Sequence, residues 1–272
     1  MPAHKGLNHV NLKSIDPRPT IMKELTMSQL KFFRFQVTRF VILFVERAGS
    51  TYLITTLNSH PDVKALTEKF DALRQEGKGA KEQLEWAREF LTPPLVGPHK
   101  AIGFKTKQVD VLDPTGFAQL MQQQKCKIIR LQRRNSIKAV ISTINARRLW
   151  EKSGNWNLLK ETDRQPAFAV DLNEFERLLQ QREQWDRDLE AYAQSLHLPT
   201  LSLYYEELLQ DEQAFVQQVF SFLEVAPQPV QGITLKNTKD NLQEAILNFD
   251  ELRAKYTNTR YAPMFDEVLA PS

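Results

Sequence analysis

The chain has a single cysteine, Cys126, among 272 residues. That count excludes an internal disulfide and any cysteine-built zinc site. An apolar run follows Cys126, so it reads as a buried thiol rather than a reactive one. Glycine is scarce, at 9 residues. It forms neither the Gly-rich run ending in Gly-Lys-Ser/Thr that cradles a nucleoside triphosphate nor the three-glycine dinucleotide fingerprint. No cluster of His, Cys, Asp or Glu carries metal-ligand spacing, so no metal is expected. Long apolar runs are lacking too. The most hydrophobic window, 30–45, is broken by Lys31, Arg34 and Arg39 and is too short and too charged to span a bilayer. The opening MPAHKGLNHV has no signal-peptide pattern, so a cytoplasmic protein is expected. Nor is there an excess of one charge. A formal +3 falls short of the clustered basic face that nucleic acid requires.

What is present is ordinary for a globular protein, with 42% apolar and 25% charged residues and enough length for a full core. Short apolar runs at 40–45, 101–105, 127–131 and 200–204 read as strands. Helical patterns lie between them, at 53–58, 81–91, 114–123, 136–148, from 171 onward, and at 211–223. Strands alternating with helices predict an α/β fold, a central parallel sheet flanked by helices. The domain would occupy 37–272, after a polar arm over 1–36 that carries Pro17 and Pro19. A proline-rich loop is expected at 92–98. Residues 150–170 have no periodicity and read as a long loop or lid, a feature more often functional than filler.

The chain is organised around 39–58, RFVILFVERAGSTYLITTLN. A buried strand breaks at Arg47-Ala48-Gly49-Ser50-Thr51, and Leu53, Ile54 and Leu57 then recur at helical spacing. Strand, tight turn and helix point unpaired backbone N–H groups at an anion. Ser50 and Thr51 add hydroxyls, and Arg47 adds a permanent charge. Taken alone, the same residues would also make a well-capped connection with no ligand. A second segment, 127–147, runs from an apolar strand into Arg134, with Ser142 two turns into the following helix. Together they can converge on a second anion. Ligands on parallel sheets sit beyond the C-terminal strand ends, where Arg47, Lys105, Arg134 and Tyr205 would fall.

These segments resemble the sulfotransferases that use 3′-phosphoadenosine-5′-phosphosulfate. That family has a Lys/Arg-x-Gly-Thr/Ser-Thr loop around the donor's 5′-phosphosulfate, matched by Arg47-Ala48-Gly49-Ser50-Thr51, with Tyr52 where many members have Trp. Its Arg-Asn-Pro segment with a later Ser grips the 3′-phosphate. Here it is Arg134-Asn135-Ser136 through Ser142, with Ser136 replacing Pro. Tyr205-Glu206-Glu207-Leu208 is similar to the family's Tyr-Glu-Asp-Leu stretch, whose Tyr lies near the adenine. The run Leu57 to His60-Pro61, then Glu68-Lys69-Phe70 and Gly103-Phe104-Lys105, looks like the bacterial branch, with its nodulation-factor and trehalose-type carbohydrate sulfotransferases.

The resemblance implies a P-loop-like fold, a metal-free transfer and an acceptor that is a carbohydrate or another small polar molecule. Arg47 would stabilise the leaving phosphate, with Ala48, Gly49, Ser50 and Thr51 lining it. Arg134 and Ser142 would hold the 3′-phosphate. Tyr205 and Tyr52 offer faces for adenine, although Tyr52 fits the core equally. Glu68 is the expected general base, with His60 and His99 as rivals, and Lys105 would neutralise charge on donor or acceptor. The basic loop that closes over the donor in mammalian members is not recognisable; Lys236, Lys239, Arg253 and Arg260 remain open substitutes. A nucleotide-dependent kinase and a non-catalytic nucleotide-binding relative are the alternatives.

Overall fold

The computed structural model describes residues 37–92 and 97–269. The arm expected over 1–36 and the centre of the proline-rich loop lie outside the described residues. Five strands form one wholly parallel sheet in the order β2-β3-β1-β4-β5. They are β1 (Thr38–Phe44), β2 (Val63–Leu66), β3 (Ala101–Lys107), β4 (Lys127–Gln132) and β5 (Thr200–Tyr204). β1 is central, and its run from Phe40 to Phe44 is wholly apolar, the composition that a strand covered on both faces needs. The edge strand β2 is shorter, with Lys64 exposed, as an edge permits. The sequence reading missed it, since four residues that alternate between buried and exposed are too short a run to stand out.

Helices cover both faces. Phe40, Ile42 and Phe44 pack on α1 (Ser50–Asn58) and on Phe215, Val219 and Phe220 of α8 (Glu212–Leu223). Val41, Leu43 and Val45 face Phe70 of α2 (Lys69–Gln75), Ala87 of α3 (Ala80–Phe90) and Phe117, Leu120 and Met121 of α4 (Pro114–Gln123). Asp113 caps α4 by accepting from the Gly116 N–H at 2.9 Å, with Pro114 pre-set for the first turn. Cys126 belongs to this second core. It is fully buried, and burial pushes its thiol pKa up to about 12.

A third apolar cluster joins α5 (Ser136–Ser153) and α6 (Leu172–Ser195) to the C-terminal helices. Asp171 caps α6, accepting from the N–H groups of Asn173 and Glu174. Glu174 pairs with Arg147 at 2.9 Å. The region 236–261, polar in sequence, holds only short helices: α9 (Leu242–Ala245), α10 (Phe249–Lys255) and, just beyond, α11 (Ala262–Asp266). The 150–170 segment is loop after Ser153, with one 3-10 turn at Glu161–Asp163. Between β5 and α8 lies the short α7 (Tyr205–Gln210). After β3 the chain crosses to the other side of β1, so strand order reverses there and a crevice opens above the ends of β1, β3 and β4. Among the described residues no helix is long and apolar enough to cross a membrane.

Candidate active site

The turn after β1 is built by two left-handed residues, Arg47 at φ 63 and Gly49 at φ 82. Such a conformation is uncommon for arginine. It brings α1 back over the sheet, with the N–H groups of its first turn aimed into the crevice, where a helix leaves them unpaired. A Cβ at Gly49 would fall 2.8 Å from Cδ2 of Tyr205, so the ring of Tyr205 closes directly onto the turn.

Lys105 rises from β3 into the same space. It is 1% exposed, yet its ammonium makes three contacts. It donates to Ser50 Oγ at 3.2 Å and Thr51 Oγ1 at 2.9 Å, and it pairs with Glu68 Oε1 at 2.9 Å. Each hydroxyl keeps its own O–H for a ligand. Burial pushes the Lys105 pKa down, against the opposing pull of Glu68. Glu68 follows β2, which returns the chain to the same end of the sheet. Burial would raise its pKa, but Lys105 and Lys107 outweigh that and hold it below the usual carboxylate range.

Arg47 donates from Nε to Ser142 Oγ at 3.0 Å and from Nη1 to the Trp156 carbonyl at 3.3 Å. Ser142 and the turn therefore meet, although they are far apart in the chain. Beside Arg47 lies Arg133, buried, with Nη1 at 3.5 Å from the Arg47 carbonyl and its guanidinium 4.7 Å above the Tyr205 ring. Arg133 Nε has no hydrogen-bond partner. Burial lowers the pKa of both arginines from the ordinary value. Neither has a carboxylate ion-pair partner among the described residues. Two guanidinium groups that make no carboxylate ion pair among the described residues, beside a helix N-terminus and a buried ammonium, are an arrangement that can hold an anion.

The expectation for Arg134 needs correction. Arg134 does not face Ser142. The Glu206 carboxylate accepts from the backbone N–H groups of Arg134 and Asn135, at 3.0 and 3.1 Å, and fixes the strand end. The Arg134 side chain then lies over Tyr204 and pairs with Glu207 at 2.5 Å. Arg133 is the arginine in the crevice. Adjacent residues at a strand end point to opposite sides, and sequence could not say which of the pair turns inward. Tyr52 belongs to the core side of its two readings. Its ring lies against Gly232 and its hydroxyl donates to Glu212, which with burial raises its pKa to about 12.

His60 and His99 both lie away from the crevice. His60 Nδ1 accepts from the Asp62 N–H at 3.0 Å, so Nε2 carries the proton and donates to the Ala226 carbonyl at 2.8 Å. With both nitrogens engaged and 2% exposure it is a packing residue at the far end of α1. His99 precedes β3, and six residues at about 3.3 Å each put it roughly 20 Å along the strand from Lys105.

Asn135 caps α5 through the Lys138 N–H at 2.9 Å and ties it to the C-terminal segment through Met264. Of the basic residues left open for closing over the donor, Lys236 lies near Arg133 and pairs with Asp240 at 2.5 Å. Arg253 pairs with Asp266, Arg260 with Glu183 and Lys239 with Glu244. Among the described residues no group of three His, Cys, Asp or Glu could hold a metal ion.

Comparison with known proteins bears on this arrangement. Residues 38–262 match the model of the family described as the sulfotransferase domain. Nodulation protein H of Rhizobium tropici is 27% identical over 248 residues, covering 85% of this chain and 95% of the relative. Nodulation protein H of Rhizobium meliloti is 25% identical over 249 residues, covering 84% and 94%. Among solved structures, a sulfotransferase from Alicyclobacillus acidocaldarius aligns with a TM-score of 0.45 at 17% identity, over 86% of this chain and 96% of the other. A mouse sulfotransferase complexed with PAP aligns at 0.42 and 13% identity, over 76% and 66%. The family match spans the whole sheet and every residue of the crevice, and the chain belongs to the sulfotransferase domain family of transferases.

Proposed function

We propose that the protein transfers the sulfuryl group of 3′-phosphoadenosine-5′-phosphosulfate to a hydroxyl of a carbohydrate. The observation that carries the donor assignment is the pair of guanidinium groups, Arg47 and Arg133, with no carboxylate partner among the described residues, set beside Lys105 and the first turn of α1. The 5′-phosphosulfate would lie on the N–H groups of that turn, with Ser50 and Thr51 donating to it. Arg47 would meet the bridging oxygen, where charge develops as the S–O bond breaks. Ser142 and Arg133 would hold the 3′-phosphate, with Lys236 on its far side. Arg134 reaches that group only by leaving Glu207. Tyr205 would flank the nucleotide.

Sulfuryl transfer needs little covalent help from the protein. Positioning and electrostatic stabilisation supply most of the rate, as in phosphoryl transfer. An alcohol acceptor also needs a base within hydrogen-bond reach. Glu68 is the carboxylate that reaches Lys105 and faces the turn. It would take the hydroxyl proton as the acceptor oxygen attacks sulfur in line and the nucleotide phosphate departs.

Support for a sugar acceptor comes from Trp150 and Trp156. They stack at 5.2 Å with an interplanar angle of 15°, and each is about half exposed, at 46% and 48%. The Trp156 carbonyl is held by Arg47, so this aromatic surface adjoins the transfer site. An exposed indole face suits the apolar face of a pyranose ring. The carbohydrate-type motifs around Glu68 and Lys105 point the same way.

The donor assignment is tested by calorimetric titration with 3′-phosphoadenosine 5′-phosphate and with AMP. One charge-assisted hydrogen bond contributes about 1.5–3 kcal/mol. Arg133→Ala should therefore weaken the 3′-phosphorylated nucleotide by roughly tenfold to a hundredfold and AMP far less. Arg134→Ala should change both little. Equal losses for the two nucleotides in Arg133→Ala would remove the 3′-phosphate from this site.

A further inference from the structure

Lys107 had no role in the motifs, yet the structure joins it to the carboxylate proposed as the base. Lys105 and Lys107 are two residues apart in β3, so their side chains leave the same face of the strand. Glu68 stands opposite and divides its oxygens between them. Oε1 takes Lys105 at 2.9 Å, and Oε2 takes Lys107 at 3.6 Å. The two lysines differ in what lies behind them. Lys105 points into the donor crevice and is shared with Ser50 and Thr51. Lys107 is backed away from the crevice by Asp110, at 3.4 Å from Oδ2, and Asp110 is held in turn by Arg74 at 2.6 Å. Asp110 is buried, and Leu112 and Gln83 close the turn around it.

We infer that Lys107, braced by Asp110 and Arg74, is the positioning residue for Glu68, and that it keeps the carboxylate in place when the donor draws on Lys105. The inference rests on Glu68 being the base. A carboxylate held by Lys105 alone would be pulled toward the donor or released when a phosphosulfate arrives on the same ammonium. A carboxylate held by two lysines loses one contact and keeps the other, and Oε1 is then the oxygen exposed to an acceptor hydroxyl. The proton passes from that hydroxyl to Oε1, the oxygen–sulfur bond forms, and the bond from sulfur to the nucleotide phosphate breaks. No further reactant is needed. Donor occupancy and base exposure are thereby coupled through one ammonium group.

The groups facing Glu68 are Lys105 and Lys107 of β3 and Arg47 of the turn. Those facing Lys107 are Asp110, Glu68, Asp71 of α2 and Glu46. Removing the Lys107 charge leaves Asp110 paired with Arg74, so no buried carboxylate is stranded.

The experiment needs no acceptor. Protein carrying carboxyl-13C glutamate is titrated by NMR, and the Glu68 signal is assigned by its loss in Glu68→Gln. An opposite charge at this range lowers a carboxylate pKa by about one unit or more. Lys107→Met should therefore raise the Glu68 midpoint by roughly one pH unit, and Lys107→Arg should restore it. Adding 3′-phosphoadenosine 5′-phosphate should raise the midpoint again in the wild type, as Lys105 is shared, and most in Lys107→Met. A purely structural lysine would lower the unfolding midpoint of Lys107→Met and leave the Glu68 titration where it was. That result overturns the inference. Failure of the base reading is separate: it would show as undiminished turnover in Glu68→Gln, whatever the NMR titration gives.

Discussion

Replacing Gly49 by alanine tests the turn that would carry the 5′-phosphosulfate. Two costs can be read from the structure. The residue sits at φ 82, and a left-handed conformation costs an L-residue about 1–2 kcal/mol. The new Cβ would also lie 2.8 Å from Tyr205 Cδ2 and 3.2 Å from Cε2, so the ring must move. It cannot swing freely, because the Arg133 guanidinium stands 4.7 Å above it. An off-rotamer displacement adds about 0.5–1.5 kcal/mol. The expected loss is about 1.5–3.5 kcal/mol in all. Gly77 supplies the internal control, since it has φ 72 and nothing within 4 Å of its added Cβ. Gly77→Ala should lose only the conformational part. Urea unfolding of the two variants separates the contributions, the difference being on the order of 1 kcal/mol. Calorimetry with 3′-phosphoadenosine 5′-phosphate gives the functional half: affinity should fall in Gly49→Ala and stay unchanged in Gly77→Ala. Equal stability losses with equal nucleotide affinity would refute the claim that Tyr205 is seated on the turn.

The remaining predictions concern the charged groups. Arg47→Ala should lower kcat more than it weakens product nucleotide, because its charge acts where the leaving oxygen develops; a raised KM with normal kcat would make it a binding residue only. Arg47→Lys should recover part of the rate, limited by the loss of the two-pronged contact to Ser142 and Trp156. Glu68→Gln should cut turnover by about 10²–10⁴ with nucleotide affinity nearly intact. Because the folded pKa of Glu68 lies below its unfolded value, the ionised group stabilises the protein above the unfolded pKa, and that stability is lost as pH falls through the folded one. Thermal melts of wild type and Glu68→Gln should therefore differ most near neutrality and converge in acid.

Much of the fold is legible in the sequence because buried parallel strands are written as apolar runs. The runs at β1, β3, β4 and β5 are of that kind, and the strand–turn–helix at Arg47 declares itself by one glycine and two hydroxyls. β2 escaped because an edge strand alternates and this one is four residues long. Which residues line the crevice was legible where one motif fixes one residue type, as at Ser142 and Lys105. It was not where direction decides. Arg133 and Arg134 are identical in composition, and only the capture of the Arg134 N–H by Glu206 sets which points inward. His99 lies in the same segment as Lys105 but at the other end of a strand. Lys107 carries no motif at all, and its role emerges only from the spacing along β3 and the approach of Glu68 across it.

The wholly parallel sheet bears on how the chain is made. β1 is the hydrophobic centre, yet its neighbours come late: Thr38 pairs with Ala101, and Phe40 with Lys127. At typical synthesis rates of about 5–20 residues per second, Ala101 follows Thr38 by on the order of three to thirteen seconds. Through that interval an apolar strand has no partner to cover either edge. Sheets closed only by distant segments fold slowly. The completed anion turn thus depends on a strand that spends the longest time unpaired during translation. Yield of active protein should respond to ribosome speed and to chaperone supply before any residue of the site is altered.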